Sequence, residues 1–543
     1  MKVLVLGGVA AGTKVAAKLK REDRSCEVTI LTKGRDISYA GCGLPYYVGG
    51  VIRDKGELIV NTPEKFSKLT GAQVLTETEA VAVRPGEHQV EARNLKTGET
   101  RLYGYDKLVI ATGASPFVPQ VPGLDLKNVF VMRTPEDAIA LREAVEAGEI
   151  KRAVVAGGGF IGLEVAENLA AKGVKTSVID FAPHVLPGLL DPELSEYVEN
   201  KMADAGIMPL TNVALEGAEG GGKVEKVLTS RRAMKADALV LAIGIRPSTA
   251  FLEGTGIEMV KGTIVTDQYM RTSLPDIYAA GDCAMVRNRQ TGKPAWSPMG
   301  STANISGRVL AQNLAGKERA YPGVLGTGVA KLPGGINVGR TGLTETAARA
   351  EGYDAVSVLT VLDDKAHYYP GSGLFIVKLT ADRASRKLLG IQVLGPGAVD
   401  KLTDIAVTAI TLGASVDQLA DMDFAYAPPF STAIHPFAAS VNVLLNKLDG
   451  AMDSITPAEY AQGGAEEYEV VDCAQAPALE GKRFLNLAAI DGPVEGLEPD
   501  RKILLVCTKG RRAYLAQNRL KFYGYTNTKV LEGGASFTEI EEE

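Results

Sequence analysis

Residues 153–169 read AVVAGGGFIGLEVAENL: an apolar strand, a glycine turn and a helical run. Gly157, Gly159 and Gly162 stand at the spacing of a dinucleotide-binding turn. In that layout the N–H groups opening the helix receive a pyrophosphate, and glycine lets the backbone come close to it. The next strand, TSVID, closes on Asp180, 18 residues after Gly162. A carboxylate there accepts hydrogen bonds from ribose hydroxyls and repels a 2′-phosphate, which favours NADH over NADPH. The pattern also occurs 150 residues earlier, as KVLVL at 2–6, then Gly7-Gly8-Val9-Ala10-Ala11-Gly12, then a helix to about Lys20. In this copy Val9 fills the middle glycine, and the strand Val28–Leu31 runs into Thr32 and Lys33 instead of an acid. The repeat predicts an α/β chain with two Rossmann-like dinucleotide-binding domains.

Further small-residue turns follow apolar strands. Leu108–Pro119, LVIATGASPFVP, turns at Thr112 and Gly113. Residues 237–247 read DALVLAIGIRP, and 274–283 read LPDIYAAGDC. The last ends at Gly281-Asp282, where a carboxylate can accept a hydrogen bond from a polyol hydroxyl. Residues 300–314 form a helix of small and polar residues. After about Gly323 the pattern changes to alternating strands (SVLTVL, GLFIVKLT, KLLGIQVLG) and a helix from about Asp400 to Leu412, an α+β module. Residues 447–465 are polar and Gly-rich and read as a linker centred on Gly463-Gly464. In the last unit, RKILLVCTKGRRAYLAQ carries a buried strand into a loop holding Cys507, Arg511 and Arg512. Loop N–H groups and two arginines form a nest suited to an anionic sulfur.

The stretch Ser38–Tyr47, SYAGCGLPYY, holds one cysteine, Cys42, between two glycines. The helix signal beginning there places Cys42 at a helix N-terminus, which favours the thiolate. Five residues on stands Tyr47 and not a second cysteine. The redox partner of Cys42 must then come from outside, as a small thiol, disulfide, persulfide or peroxide. Five cysteines in 543 residues, unevenly spaced, point to a reducing, cytoplasmic setting and not a disulfide framework. A net charge of −6 gives no footprint for nucleic acid. No run of 18 apolar residues predicts a membrane span, and Lys14 and Lys18 interrupt the apolar start too soon for a signal peptide. No residue set calls for a metal.

The order of the two glycine turns, ATGA, GIRP and AAGD resembles the flavin-dependent pyridine nucleotide-disulfide oxidoreductases, over residues 1 to about 445. The single-cysteine SYAGCGLPYY segment, YYPG at Tyr368–Gly371 and YAPPF at Tyr426–Phe430 are similar to the coenzyme A-disulfide reductase branch. The C-terminal loop Cys507–Arg512 and the quartet Leu531-Glu532-Gly533-Gly534 resemble a rhodanese domain. The resemblance implies residues 1–115 and 248–324 as an FAD-binding domain, 116–247 as an NADH-binding domain, 325–446 as a dimerisation domain and 466–543 as a rhodanese-like domain.

It further implies that Gly7, Gly12, Thr112, Gly113, Gly281 and Asp282 bind FAD. Gly157, Gly159, Gly162 and Asp180 bind NADH, with Phe160 as a gate over the flavin and Glu164 near the nicotinamide. Lys20 and Arg21 would hold the phosphates of coenzyme A, a substrate or carrier. Tyr368 and Tyr426 would reach the Cys42 of the other subunit of a homodimer, and His435 is a candidate base. Cys507, with Arg512, would carry a persulfide. Thr32, Gly41, Asp472-Cys473-Ala474 and Ile434-His435 depart from the family patterns.

The implied activity is NADH-driven reduction of a coenzyme A disulfide, persulfide or polysulfide at Cys42. The alternatives are an NADH oxidase or peroxidase cycling through a sulfenic acid, and a C-terminal unit that only docks a partner. The peroxide-using relatives carry a histidine where this chain has Ala10.

Overall fold

The computed structural model describes residues 1–540, which form two compact units. The first comprises Met1–Pro183 and Gly206–Val324. Its first sheet has the strand order Ile277–Ala279, Lys107–Ile110, Lys2–Leu6, Glu27–Leu31, Gln73–Leu75, all parallel. Its second sheet is also parallel, in the order Met208–Leu210, Lys175–Ile179, Arg152–Ala156, Ala238–Leu241, Val129–Val131. Each glycine turn therefore leaves the central strand of its own sheet. The helices that follow, Ala11–Glu22 and Phe160–Ala171, cover that strand.

The two turns repeat in geometry as well as in letters. Gly7 has φ +109° and Gly157 φ +113°. A Cβ on Gly12 would lie 1.9 Å from the Gly7 carbonyl oxygen, and a Cβ on Gly162 would lie 1.9 Å from that of Gly157. Each helix thus rests backbone to backbone on its strand end, a contact only glycine permits. The two halves of this unit are linked where Ala114–Pro116 pairs antiparallel with Ile245–Pro247.

The second unit comprises His184–Ala205 and the chain from Leu325. An antiparallel sheet runs in the order Gly328–Leu332, Ile336–Gly342, Leu388–Gly395, Leu374–Asp382, Ala355–Asp363. The helices Val399–Leu412 and Pro436–Leu448 bury their apolar faces on it. Residues 184–205, expected with the NADH-binding stretch, belong to this unit because Lys378 holds them. Its ammonium meets Asp191 at 3.0 Å, Glu345 at 2.8 Å and Glu193. Burial alone would raise the Asp191 carboxyl, but Lys378 and hydrogen bonds from Thr346 and Gln392 bring it down to about 2.

The C-terminal sheet is parallel, in the order Ser454–Ile455, Thr528–Leu531, Ile503–Val506, Glu469–Asp472, Arg483–Phe484. The expected linker 447–465 is built into this unit. Ser454–Ile455 is the edge strand of the sheet, and Pro457–Ala461 is a helix closed by a Thr456/Glu459 capping box. Polar composition hides such a segment, because the cap residues that start a helix also mark loops.

Glu532, buried, ties the C-terminal sheet to the antiparallel one. It accepts the Leu359 N–H at 2.8 Å and, at 2.6 Å each, the Lys447 ammonium and the Ser454 hydroxyl. A Cβ on Gly533 would lie 2.7 Å from the Leu359 side chain, so this loop closes flush on the sheet. Lys509 adds an ion pair to Asp363 at 2.9 Å.

Among the described residues no helix is long and apolar enough to cross a membrane. Replacing Lys378 by Met would take from Asp191, Glu193 and Glu345 the one cation that all three share. The expected loss is roughly 3–5 kcal/mol, the usual cost of a broken buried pair, read as a lowered melting temperature.

Candidate active site: a lone thiol beside a buried carboxyl

Cys42 lies in a short 3-10 turn, Gly41–Gly43, ahead of the five-residue helix Leu44–Val48. Two contacts pin this segment to helices far away in sequence. A Cβ on Gly49 would lie 2.0 Å from the Asn168 side-chain oxygen, so glycine lets the segment close on the helix Phe160–Ala171. On the other side Arg142 lies 4.4 Å over the Tyr47 ring and donates to the carbonyls of Tyr47, Ile52 and Arg53. The Tyr46 hydroxyl then donates to the Glu164 carboxylate at 3.0 Å. Tyr46 stands one helical turn after Cys42, and Glu164 one turn after Phe160. The second glycine turn and the cysteine segment thus build one site.

The electrostatics differ from the sequence expectation of a favoured thiolate. Cys42 is solvent-accessible, yet the chain packed around its sulfur withdraws water, and this raises the thiol. The charges of Glu164 and Asp282 raise it further, against the pull of Arg133. A five-residue helix has too small a dipole to reverse this. Burial also lifts the Glu164 carboxyl to about 7, with the Tyr46 hydrogen bond opposing and Glu167 adding to the rise. A carboxyl near neutrality beside a thiol can hold or release a proton at physiological pH.

The expected FAD-contacting residues converge at the carboxyl ends of the first sheet. The strands ending before Gly7, Thr112 and Gly281 are adjacent there. A Cβ on Gly281 (φ +82°) would lie 2.9 Å from Ala11, so the Asp282 turn abuts the first glycine turn. Thr112 donates to the Ser248 carbonyl. Gly113, at φ +68°, leaves room for Arg133, whose guanidinium pairs with Asp282 at 3.0 Å. Thr32 is buried and packs its side chain on Gly8, so it does not stand in for a ribose acid. The backbone cradle and the carboxylate fit a flavin dinucleotide, with the ribose contact missing.

In the second site Gly159 has open space where a Cβ would stand, and the half-buried Phe160 opens the helix. Asp180 accepts from the Gly158 N–H at 2.6 Å and the Ala182 N–H at 2.7 Å, which orients its carboxylate at the turn. This cradle fits a nicotinamide dinucleotide.

Other expectations fare differently. Tyr368 and Tyr426, distant in sequence, meet, and their hydrogen bond raises the Tyr426 phenol. Lys20 is engaged locally, donating to the carbonyls of Arg24 and Cys26, while Arg21 is exposed. His435 is not placed to act as a base. It is 4% exposed, caps the helix Pro436–Leu448 through Nδ1 and stacks on Phe424. Burial, and then the charge of Lys401, hold it down at about 4. Cys507 is buried, and its sulfur accepts the Ala513 N–H at 3.4 Å. Arg512 reaches the Cys473 carbonyl at 3.0 Å. Asp472 accepts three backbone N–H groups, from Ala474, Ala478 and Leu479.

Sequence reasoning missed Tyr46, Arg133 and Arg142. Only Tyr46 carried a signal, its four-residue spacing from Cys42.

The model of the family described as pyridine nucleotide-disulphide oxidoreductase matches residues 1–301, and that of its dimerisation domain matches 334–438. The chain belongs to this family. It is therefore an oxidoreductase, and the family implies FAD and NAD(P)H for the two cradles. An NAD(P)H coenzyme A polysulfide/persulfide reductase of Pyrococcus horikoshii is 36% identical over 82% of this chain and 98% of its own. An NADH oxidase of Methanocaldococcus jannaschii is 34% identical over 82% and 99%. Two solved structures cover 99% of this chain, the C-terminal unit included. They are the reduced CoADR-RHD of Bacillus anthracis (TM-score 0.93, 32% identity, 97% of that chain) and a NAD-dependent persulfide reductase from A. fulgidus (TM-score 0.92, 34%, 100%).

Two expectations follow from this oxidoreductase's site. Removing the Glu164 charge eases thiolate formation, so Glu164→Gln should speed iodoacetamide labelling of Cys42 severalfold at pH 8, and His435→Ala should leave it unchanged. NADH should exceed NADPH in kcat/KM by about tenfold, the equivalent of ~1.4 kcal/mol of like-charge repulsion, and Asp180→Asn should narrow that ratio.

Proposed function

We propose that this oxidoreductase uses NADH and a bound FAD to reduce a sulfur–sulfur bond delivered to Cys42 by coenzyme A, as its disulfide or persulfide. The observation that carries the reading is the solitary Cys42. All five cysteines are unpaired, and the position five residues on is Tyr47, buried beneath Arg142. A thiol without an internal partner takes its sulfur from a small molecule. The names of the Pyrococcus horikoshii and A. fulgidus relatives point the same way.

When bound, FAD supplies the two-electron relay between nicotinamide and sulfur. Gly7, Gly12, Thr112, Gly113, Gly281 and Asp282 would hold it, with Gly157, Gly159, Gly162 and Asp180 holding NADH and Phe160 screening the space between. Cys42 attacks the coenzyme A sulfur of the sulfur–sulfur bond and is left as a mixed disulfide, displacing coenzyme A thiol from the disulfide or hydrosulfide from the persulfide. Glu164 keeps a proton at hand beside it, positioned by Tyr46. In a homodimer the Tyr368–Tyr426 pair would hydrogen-bond the departing sulfur. Of the basic pair proposed for the phosphates of coenzyme A, Arg21 is the free member.

The C-terminal unit is proposed as a rhodanese-like sulfur-transfer domain with Cys507 as its sulfur acceptor. Its parallel sheet, the loop carrying Cys507 into the helix Arg511–Phe522, and the CoADR-RHD likeness support this. Glu532 and Lys509 hold the unit on the antiparallel sheet, so sulfur would travel on a small carrier and not by a swinging domain.

The second reading is an NADH oxidase, favoured by the name of the Methanocaldococcus jannaschii relative. An oxygen electrode separates the two: coenzyme A persulfide should be reduced anaerobically, with little NADH consumed by oxygen alone.

Cys42→Ser should retain FAD and NADH binding while turnover with a disulfide or persulfide falls below about a tenth of wild type. Higher turnover would exclude Cys42. Cys507→Ala should spare reduction of preformed coenzyme A persulfide but depress sulfide release from thiosulfate or polysulfide. Equal rates with every donor would make the C-terminal unit a docking module.

A further inference from the structure

Two thiols of the C-terminal unit come together although 33 residues lie between them in sequence. The strands Glu469–Asp472 and Ile503–Val506 are parallel neighbours, with Asp472 opposite Val506. The pairing continues one step further, since the Cys473 N–H donates to the Val506 carbonyl at 2.6 Å. Cys473 therefore stands beside Cys507. Side chains alternate along a strand, and both cysteines fall on the face that carries Val471, Ile503 and Leu505, in one buried cluster with Ala513 of the helix Arg511–Phe522. Leu504 and Val506 fall on the other. Neighbouring strands run about 4.8 Å apart, within the roughly 4.4–6.8 Å Cα separation that a disulfide spans. Both thiols are free, and a cavity of about 160 Å³, lined by Asp472, Ala474, Leu479 and Thr508, opens onto Cys507.

We propose that Cys473 is the resolving thiol of Cys507: when Cys507 carries an added sulfur or oxygen atom, Cys473 displaces it and closes a Cys473–Cys507 disulfide. The sulfur branch rests on the reading of Cys507 as a sulfur acceptor. The Cys473 sulfur attacks the inner sulfur of the Cys507 persulfide. The bond to the outer sulfur breaks, and that sulfur leaves with the electron pair and the Cys473 proton as hydrosulfide. One persulfide anion and one thiol give one disulfide and one hydrosulfide, so atoms, charge and electrons balance. Two equivalents of a small thiol, themselves oxidised to a disulfide, reopen the pair. Burial, and then the neighbouring charge of Cys507, push the Cys473 thiol up to about 12, so its proton has to pass to the departing sulfur as the new bond forms.

The test uses the full-length protein, reduced, freed of small thiols and kept anaerobic without NADH. It is treated with inorganic polysulfide, alkylated, digested without reductant and analysed by mass spectrometry. Wild type should yield a peptide pair joined through Cys473 and Cys507, with one sulfide released per crosslink. Cys473→Val, which suits a strand, should keep a Cys507 persulfide and yield no crosslink. A second arm uses hydrogen peroxide, where a Cys507 sulfenic acid condenses with the Cys473 thiol to the same disulfide and water. A crosslink with peroxide alone supports the resolving role and removes only the sulfur-acceptor reading. Absence of the crosslinked peptide with both reagents overturns the proposal.

Discussion

The structure depends first on two places where backbone rests on backbone. Gly12 sits against the carbonyl of Gly7, and Gly162 against that of Gly157, at distances no side chain would allow. These contacts bring the start of each helix over the end of its strand, where unsatisfied N–H groups and the helix dipole face outward. Everything at the candidate site is measured from there. The Cys42 segment packs on the second helix through Gly49 and Asn168, and Glu164 lies one turn along the same helix. A shift of the second helix would carry Glu164 away from the Cys42 segment, because both contacts run through it.

The surroundings of Cys42 are electrostatically unusual for a reactive cysteine. Reactive thiols commonly sit in electropositive surroundings. Here desolvation and two carboxylates oppose ionisation, with Arg133 alone pulling the other way. Arg133 is itself paired with Asp282. The chain by itself therefore stores the sulfur as a thiol and places beside it Glu164, a carboxyl that burial lifts to about 7.

The second unit is organised by buried charge. Lys378 gathers Asp191, Glu193 and Glu345, and Glu532 gathers Lys447, Ser454 and a backbone amide. Buried ions with full sets of partners add little net stability, but losing one partner is costly, so they fix one arrangement against its alternatives. Lys378 recruits a helix that sequence order assigns elsewhere. Glu532 turns a stretch with linker composition into part of a continuous unit.

The sequence alone determined the two nucleotide cradles. Their glycines are dictated by local sterics, and Asp180 follows at the length of one helix and one strand. It also determined the lone thiol, since the residue five positions after Cys42 is plainly Tyr47. Cys507 was legible for the same reason, as a strand running into a glycine- and arginine-rich loop. The tertiary structure decided what surrounds these residues. Tyr46 and Glu164 are 118 positions apart and Arg133 and Asp282 are 149 apart, so no local pattern could pair them. His435 and the histidine-proline step suggested a base, and packing against Phe424 and a cap on its own helix made it a buried neutral group. Residues 447–465 looked like a tether because an edge strand of two residues has no periodicity to read. Local chemistry can be read where the backbone itself imposes it. Charge, burial and proton affinity belong to neighbours that only the folded chain brings together.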